Sequence, residues 1–316
     1  MKELVIKNVK LENNLLLAPI AGYSDVGLRC LAKKYGAGLT CTEMVSAKAL
    51  TYGNKKTEDL LITFPEEKPC AVQLFGNEPE VFYEAIKLPC LDKFDIIDIN
   101  MGCPAPKIYG NGEGSALMAD VDKACEIVKA CVRATDRPIT VKFRSGIDES
   151  SINAVEFAKA MEKAGASAIT IHARTKVQGY SGKADLNIAK AVKEAVKIPV
   201  IVSGDCVDKE SYENILKQTN ADGVMIARGA LGRPEVFAEI LNKKVEVDKL
   251  KDIMFHIDYL CKHYSERFVV LNMRTHIAFY LKKIKVVPEM RAKLLKEEDL
   301  SKVKEILCEI FKKTQN

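Results

Sequence analysis

The 316-residue chain contains no tryptophan, an absence that excludes nothing by itself. Other absences are more informative. A membrane-spanning helix needs about 20 consecutive apolar residues, and no such run occurs, so no membrane association is expected. The ten cysteines include no CxxC pair, which argues against a zinc site and a thioredoxin-like motif, and no metal is assigned. Met1-Lys2-Glu3-Leu4 does not open a secretory leader. Cys30, Cys41, Cys70, Cys125 and Cys131 stand among apolar or helical residues as reduced core thiols would, so a cytoplasmic location is expected. No internal repeat or low-complexity segment stands out.

What is present is a chain 47% hydrophobic and 29% charged, enough for one large domain and a small one. The net charge of +5 is unevenly spread. Residues 242–316 hold 17 Lys and Arg against 11 Asp and Glu, and the remainder holds 31 against 32. The positive excess therefore belongs to the last quarter. There it is either a solvated helical face or a surface for a polyanion.

Strand and helix patterns alternate over the first 240 residues. Strands are predicted at 15–19, 39–43, 71–75, 96–100, 139–143, 168–172, 200–203 and 223–227. Apolar residues at three-four spacing predict helices at 120–134, 152–164 and 186–196. Eight strands alternating with helices point to an α/β fold, a (β/α)8 TIM barrel with its site at the carboxyl ends of the strands. Residues 4–11 read as a short hairpin pairing with 14–18. Beyond Ala238 the pattern changes, and residues 250–316 carry no strand signal. Helices are expected at 251–268, 272–284, 290–295 and 300–313, with a break at Pro288. The expected domains are a barrel over 1–242 and a small all-helical domain over 243–316.

The stretch Asp95-Ile96-Ile97-Asp98-Ile99-Asn100-Met101-Gly102-Cys103-Pro104 is the most telling. A β-branched strand runs into a Gly-Cys-Pro turn, and a glycine-dense loop follows through Ser115. One thiol is thereby presented at a strand's carboxyl end. Other predicted strands also close on polar groups: Gln73, Asn100, Lys142 with Arg144, His172 with Arg174, Ser203-Gly204-Asp205, and Ala227-Arg228. Pro19, Ile20 and Ala21 at the first strand's end leave room for a flat ligand. Taken singly, each polar residue is more often structural than catalytic. Burying them together without partners would cost a few kcal/mol each, so a ligand is expected there.

The segments Leu17-Ala18-Pro19-Ile20-Ala21-Gly22-Tyr23-Ser24-Asp25, Ala71-Val72-Gln73-Leu74-Phe75-Gly76, Asp98-Ile99-Asn100-Met101-Gly102-Cys103-Pro104, Val141-Lys142-Phe143-Arg144-Ser145-Gly146 and Ile171-His172-Ala173-Arg174-Thr175 occur in order. With Ser203-Gly204-Asp205 and Met225-Ile226-Ala227-Arg228-Gly229-Ala230-Leu231-Gly232-Arg233-Pro234, they resemble the tRNA-dihydrouridine synthases. The resemblance is close over 14–240 and extends into the tail, where Arg274-Thr275-His276 and Tyr280-Leu281-Lys282 fit the bacterial branch. It departs at Ile20, where methionine is common, and at Ser203, where asparagine is common.

The resemblance implies a cytoplasmic FMN enzyme that reduces the C5=C6 bond of particular tRNA uridines, with NADPH as reductant. Pro19, Ile20 and Ala21 would line the isoalloxazine, and Gln73 and Lys142 would meet its polar edge. His172, Ser203, Gly204, Asp205, Ala227 and Arg228 would surround the phosphate. Asn100 would hold the uracil, and Cys103 would be the general acid. An ordinary thiol, with a pKa of about 8.5, is mostly protonated near neutrality and still a competent acid. Arg144, Arg174, Lys176 and the basic tail would meet the tRNA, the target uridine leaving its stack. A monomer suffices for this scheme. The rival enzyme reading is an FMN oxidoreductase of the dihydroorotate or dihydropyrimidine dehydrogenase type, for which a basic helical tail has no use. A non-enzymatic tRNA-binding protein is the third reading, and the joint presence of Cys103, Lys142 and His172 argues against it.

Overall fold

The structure, a computed structural model, describes residues 3–314. Two short strands, β1 (Leu4–Ile6) and β2 (Val9–Leu11), form an antiparallel hairpin. Eight parallel strands follow: β3 (Leu15–Leu17), β4 (Thr40–Ser46), β5 (Cys70–Phe75), β6 (Ile96–Met101), β7 (Ile139–Arg144), β8 (Ala168–His172), β9 (Val200–Ser203) and β10 (Gly223–Ile226). They pair in the order β3-β10-β9-β8-β7-β6-β5-β4. The seam between β3 and β4 is closed by a parallel bridge at Leu16 and Leu39 and by backbone bonds from Leu17 N–H to Leu39 O (2.9 Å) and Gly38 N–H to Leu15 O (2.8 Å). This is the expected (β/α)8 barrel.

The hairpin differs from expectation. Residues 4–11 pair within themselves, with Lys7 at φ 53° in the turn, and not with 14–18. Leu15–Leu17 is occupied as a barrel strand beside β10. Strand β4 also runs on to Ser46, past a register shift between Cys41 and Met44. The hairpin lies against the lower end of the barrel. Leu4, Ile6 and Leu11 are buried there with Leu16, Leu39, Ala71, Ile96, Ala168, Ile201 and Met225.

Strand alternation then sorts the interior by height. On β6, Ile97, Ile99 and Met101 face the outer helices, while Ile96, Asp98 and Asn100 share the inner face. The bottom is apolar. The layer above it brings Asp98 beside Thr140, Thr170 and Cys41 around a space of about 20 Å³. The top carries Gln73, Asn100, Lys142, His172 and Ser203.

The outer helices include Val121–Ala134, Ala154–Ala164 and Leu186–Ala195, close to the predicted spans. Asp120 and Asp185 cap two of them by accepting from Lys123 N–H and Asn187 N–H. After the barrel come Lys249–Cys261, Glu266–Tyr280, Pro288–Lys296 and Leu300–Thr314. A single helix over 251–268 was expected. Ser265 caps a new helix by accepting from Phe268 N–H, which divides the segment. Pro288 begins a helix, a position where its missing N–H costs nothing. Helix Lys249–Cys261 packs on Val26–Lys34, so Ile253, Ile257 and Leu260 share one buried cluster with Leu28 and Leu31.

Candidate active site

A cavity of about 1140 Å³ opens at the upper rim, between the strand ends and the helical segment. Of the residues expected at a site, Pro19, Ile20, Ala21, Gln73, Asn100, Cys103, Lys142, Arg144, His172, Ser203, Gly204, Asp205, Ala227 and Arg228 line it. Arg174 and Lys176 do not.

The thiol is held by its own loop. Asn100 Oδ1 accepts from Gly102 N–H (3.1 Å) and Cys103 N–H (2.9 Å), and Cys103 O accepts from Ser115 N–H (3.0 Å). The following loop is not formless. It contains a helical turn, Pro106–Gly110, and a 3-10 segment, Gly114–Ala119. Gly114, at φ +59°, passes so close that a Cβ there would lie 2.9 Å from Cys103 O. Only glycine fits such an approach without strain.

Gln73 donates from Nε2 to Asp98 Oδ2 (2.7 Å) and accepts at Oε1 from Asn100 Nδ2 (2.7 Å). Lys142 is half-buried and makes no side-chain hydrogen bond among the described residues. Burial, with Arg144 nearby, pushes its ammonium down to about 8, opposed by Asp98, Cys41 and Cys103. An unpaired cation on an enclosed wall favours an anionic ligand group.

On the opposite side, Arg174 is 1% exposed and bound up within its loop. It donates to Ser181 O (3.0 Å), Gly182 O (2.7 Å) and both oxygens of Asp205 (2.8 Å each). Its Nη1 lies 3.2 Å from His172 Nε2. A guanidinium only donates, so Nε2 accepts and the ring proton sits on Nδ1. Burial pushes His172 down to about 2, reinforced by Lys142, Arg144, Arg174 and Arg228, so the ring is neutral. Gly204 (φ +115°) and Asp205 (φ 54°) turn the chain beside it. The backbone N–H groups of Gly204, Asp205, Arg228 and Gly229 have no hydrogen-bond acceptor among the described residues. With Arg228 they form a concavity of donors that could hold an anion.

Arg144, also expected to face a substrate, is 2% exposed. It donates to Gly102 O (2.8 Å), Thr175 O (3.0 Å) and Gly179 O (2.8 Å), tying the thiol turn to the neighbouring loop. Lys176 lies over the Tyr109 ring at 4.1 Å, on the loop beyond Cys103. Tyr180 is 62% exposed, with Arg144 and Arg228 at 5.6 and 5.4 Å from its ring.

Sequence reasoning missed the contribution of the helical segment to the cavity. Phe279, Tyr280, Lys282, Lys283 and Ile284 form its outer wall. It also missed how that segment is fixed. Asp25, which caps Val26–Lys34, has its Oδ1 2.8 Å from His256 Nε2 and its Oδ2 3.0 Å from His276 Nε2. The same carboxylate accepts from Leu28 N–H and Asn272 Nδ2, both at 2.9 Å. Among the described residues these three form a group with metal-ligand spacing, but hydrogen bonding accounts for the carboxylate oxygens. His276 stands in a segment already singled out, yet its partner 251 residues away was not legible.

A thiol, an unpaired lysine, a neutral histidine and free backbone N–H groups thus converge at the upper rim, the arrangement of a (β/α)8 enzyme. The family model described as "Dihydrouridine synthase (Dus)" matches residues 16–316. The "Probable tRNA-dihydrouridine synthase" of Rickettsia conorii is 37% identical over 316 residues, covering 97% of this chain and 96% of the relative. The "tRNA-dihydrouridine synthase B" of Vibrio parahaemolyticus is 39% identical over 295 residues, covering 90% and 92%. The protein of the same name from Pseudomonas aeruginosa is 35% identical over 315, covering 97% and 95%. Among solved structures, morphinone reductase in complex with tetrahydroNAD has a TM-score of 0.54 at 12% identity, covering 78% of this chain and 91% of that one, and shares the fold. The chain belongs to the dihydrouridine synthase family. It is an oxidoreductase, because making dihydrouridine from uridine adds two hydrogens.

Proposed function

We propose that this enzyme reduces the C5=C6 bond of specific D-loop uridines in tRNA, with FMN as bound cofactor, NADPH as reductant and Cys103 as general acid. The observation that carries the reading is one cavity in which the Cys103 thiol, the unpaired Lys142 ammonium and the small apolar lip Pro19-Ile20-Ala21 face the same space. The residues present suit FMN. Lys142 meets the need of a reduced, anionic ring system for a cation, and Gln73 retains one N–H beyond its bond to Asp98. The free N–H groups of 204–205 and 228–229, with Arg228 and a neutral His172, suit a phosphate. When bound, FMN would supply the two-electron chemistry between the reductant and the uracil ring.

The chain's own residues do the rest. Asn100, fixed between Gln73 and the thiol turn, borders the place of the uracil. Cys103 delivers a proton to C5, and the loop 105–115 keeps the thiol aimed into the cavity. Helices of 243–316 form the tRNA-binding part, with Lys282 and Lys283 exposed on the cavity's outer wall and Tyr180 offering an exposed ring to an unstacked base. The buried, internally bonded guanidiniums of Arg144 and Arg174 shape loops for this surface and leave the phosphate contacts to exposed cations.

The test is mass spectrometry of tRNA incubated with protein and NADPH, scored for two added hydrogens per modified uridine. The expected result is a gain at D-loop positions, at least about a hundredfold slower in Cys103→Ala while NADPH oxidation continues. Dihydrouridine formation by that variant at the normal rate removes Cys103 from the reaction. A yellow protein that oxidises NADPH and leaves tRNA unchanged refutes the tRNA assignment.

A further inference from the structure

The layer beneath the cavity holds a carboxylate that this chemistry does not use. Asp98 is 5% exposed and lies on the inner face of β6. Thr140 Oγ1 donates to its Oδ1 (2.5 Å) and Gln73 Nε2 to its Oδ2 (2.7 Å). From Gln73 the bonds continue upward, from Asn100 Nδ2 to Gln73 Oε1 (2.7 Å), then from Gly102 and Cys103 N–H to Asn100 Oδ1 (3.1 and 2.9 Å). An ionised carboxylate only accepts, and a backbone N–H only donates. The two ends of this chain therefore dictate the same orientation for both amides in between. All three links also point the same way, so each polarises the next.

We propose that Asp98 is a positioning residue for the thiol reaction, acting through Gln73 and Asn100 to fix the Gln73 amide toward the cavity and the Cys103 backbone at its mouth. The role rests on the reading of Gln73 and Cys103 given above. Burying this carboxylate is unfavourable. Burial pushes it up to about 6, against the Gln73 and Thr140 bonds and Lys142. Lys142 on β7 and the Cys41 thiol on β4 are the titratable groups that face it. A neutral, apolar residue would fill the same space at less cost but would take away the acceptor that anchors Gln73 Nε2, leaving the Gln73 amide oriented from the Cys103 end alone.

The experiment uses full-length protein labelled with 15N-cysteine, which gives ten backbone amide signals at most, the Cys103 signal being the one that disappears in Cys103→Ala. In the wild type the Cys103 amide should shift with a midpoint near pH 6, following Asp98 three hydrogen bonds away through Gln73 and Asn100. The same signal should move in Asp98→Ala and stop titrating in Asp98→Asn, while the Cys131 amide stays put. In single turnover, Asp98→Ala should slow uridine reduction by about tenfold or more with little change in KM for tRNA, and Asp98→Asn, which keeps an acceptor oxygen, should recover part of the rate. A Cys103 amide indifferent to pH 5–7 and to Asp98→Asn overturns the role, even if Asp98→Ala does not fold. So does a wild-type rate in Asp98→Ala. A wild-type protein that forms no dihydrouridine overturns the reading of the site instead, a result the amide signal cannot mimic.

Discussion

Substituting Asp25 should loosen the helical segment from the barrel, and the structure sets the size of the effect. One carboxylate caps the helix Val26–Lys34 through Leu28 N–H and also receives Asn272 and His256, with His276 at 3.0 Å. Asp25→Ala removes an N-cap, costing about 1 kcal/mol. It also leaves the buried His256 without an acceptor, at about 1–3 kcal/mol, and the half-buried Asn272, at about 1 kcal/mol. The expected loss is about 3–5 kcal/mol, a large part of the roughly 5–15 kcal/mol by which a domain is stable. Urea denaturation followed by circular dichroism measures it, since the chain has no tryptophan. The exposed 242–247 connection should become easier to cleave with protease. The pH dependence has a definite sign. Burial opposes the charge on Asp25, but the two histidines hold its carboxyl well below the usual range, so its stabilisation is present at neutral pH and lost under acid. Burial lowers His256, so the unfolded chain binds more protons below about pH 6.5 and stability falls there too. A loss under about 1 kcal/mol in Asp25→Ala, with an unchanged acid limb, would refute this account of the docking.

Two further outcomes are expected. Lys282→Gln with Lys283→Gln should weaken tRNA binding and lower the slope of log K against log salt by about 2, since each phosphate left unneutralised takes away about 0.9; an unchanged slope would show these lysines to be mere solvated surface. Asp98 has its carboxyl raised from the ordinary 3.8 to about 6, so its contribution to stability is fullest at low pH and is lost as pH rises through 6. Relative to Asp98→Asn, the wild type should therefore lose about 2 kcal/mol between pH 4 and 8, and a constant difference would contradict the shift.

Much of the barrel was legible because its strands are short β-branched runs that stop at polar residues. Ile96–Met101 and Ala168–His172 lie within a residue of their expected ends. The hairpin was misplaced because Leu4–Leu11 and Leu15–Leu17 are equally apolar, and only the pairing of β3 with β10, about 210 residues later, decides between them. At the site, residue types predicted the cavity lining well, since polar groups at strand ends have nowhere else to point. They did not predict what each guanidinium does. Arg174 looks like a substrate contact from its place after β8, but nearby carbonyls and Asp205 take up its donors. Asp98 was equally opaque. In a single sequence it is an acid interrupting an isoleucine run, and its meaning depends on the β5–β6–β7 register that sets Gln73 and Thr140 beside it.

The hairpin at the lower end has a consequence for traffic. Leu4, Ile6 and Leu11 stopper the barrel with the apolar bottom layer above them, leaving little but a water-sized gap beneath the cavity. Whatever reaches the depth of Gln73 and Lys142 must come and go over the upper rim. On the function proposed above, a nucleotide reductant and a folded RNA would both need that doorway and would have to take turns. Their visits would register in steady-state kinetics as parallel double-reciprocal lines, each molecule also acting as the other's competitive inhibitor.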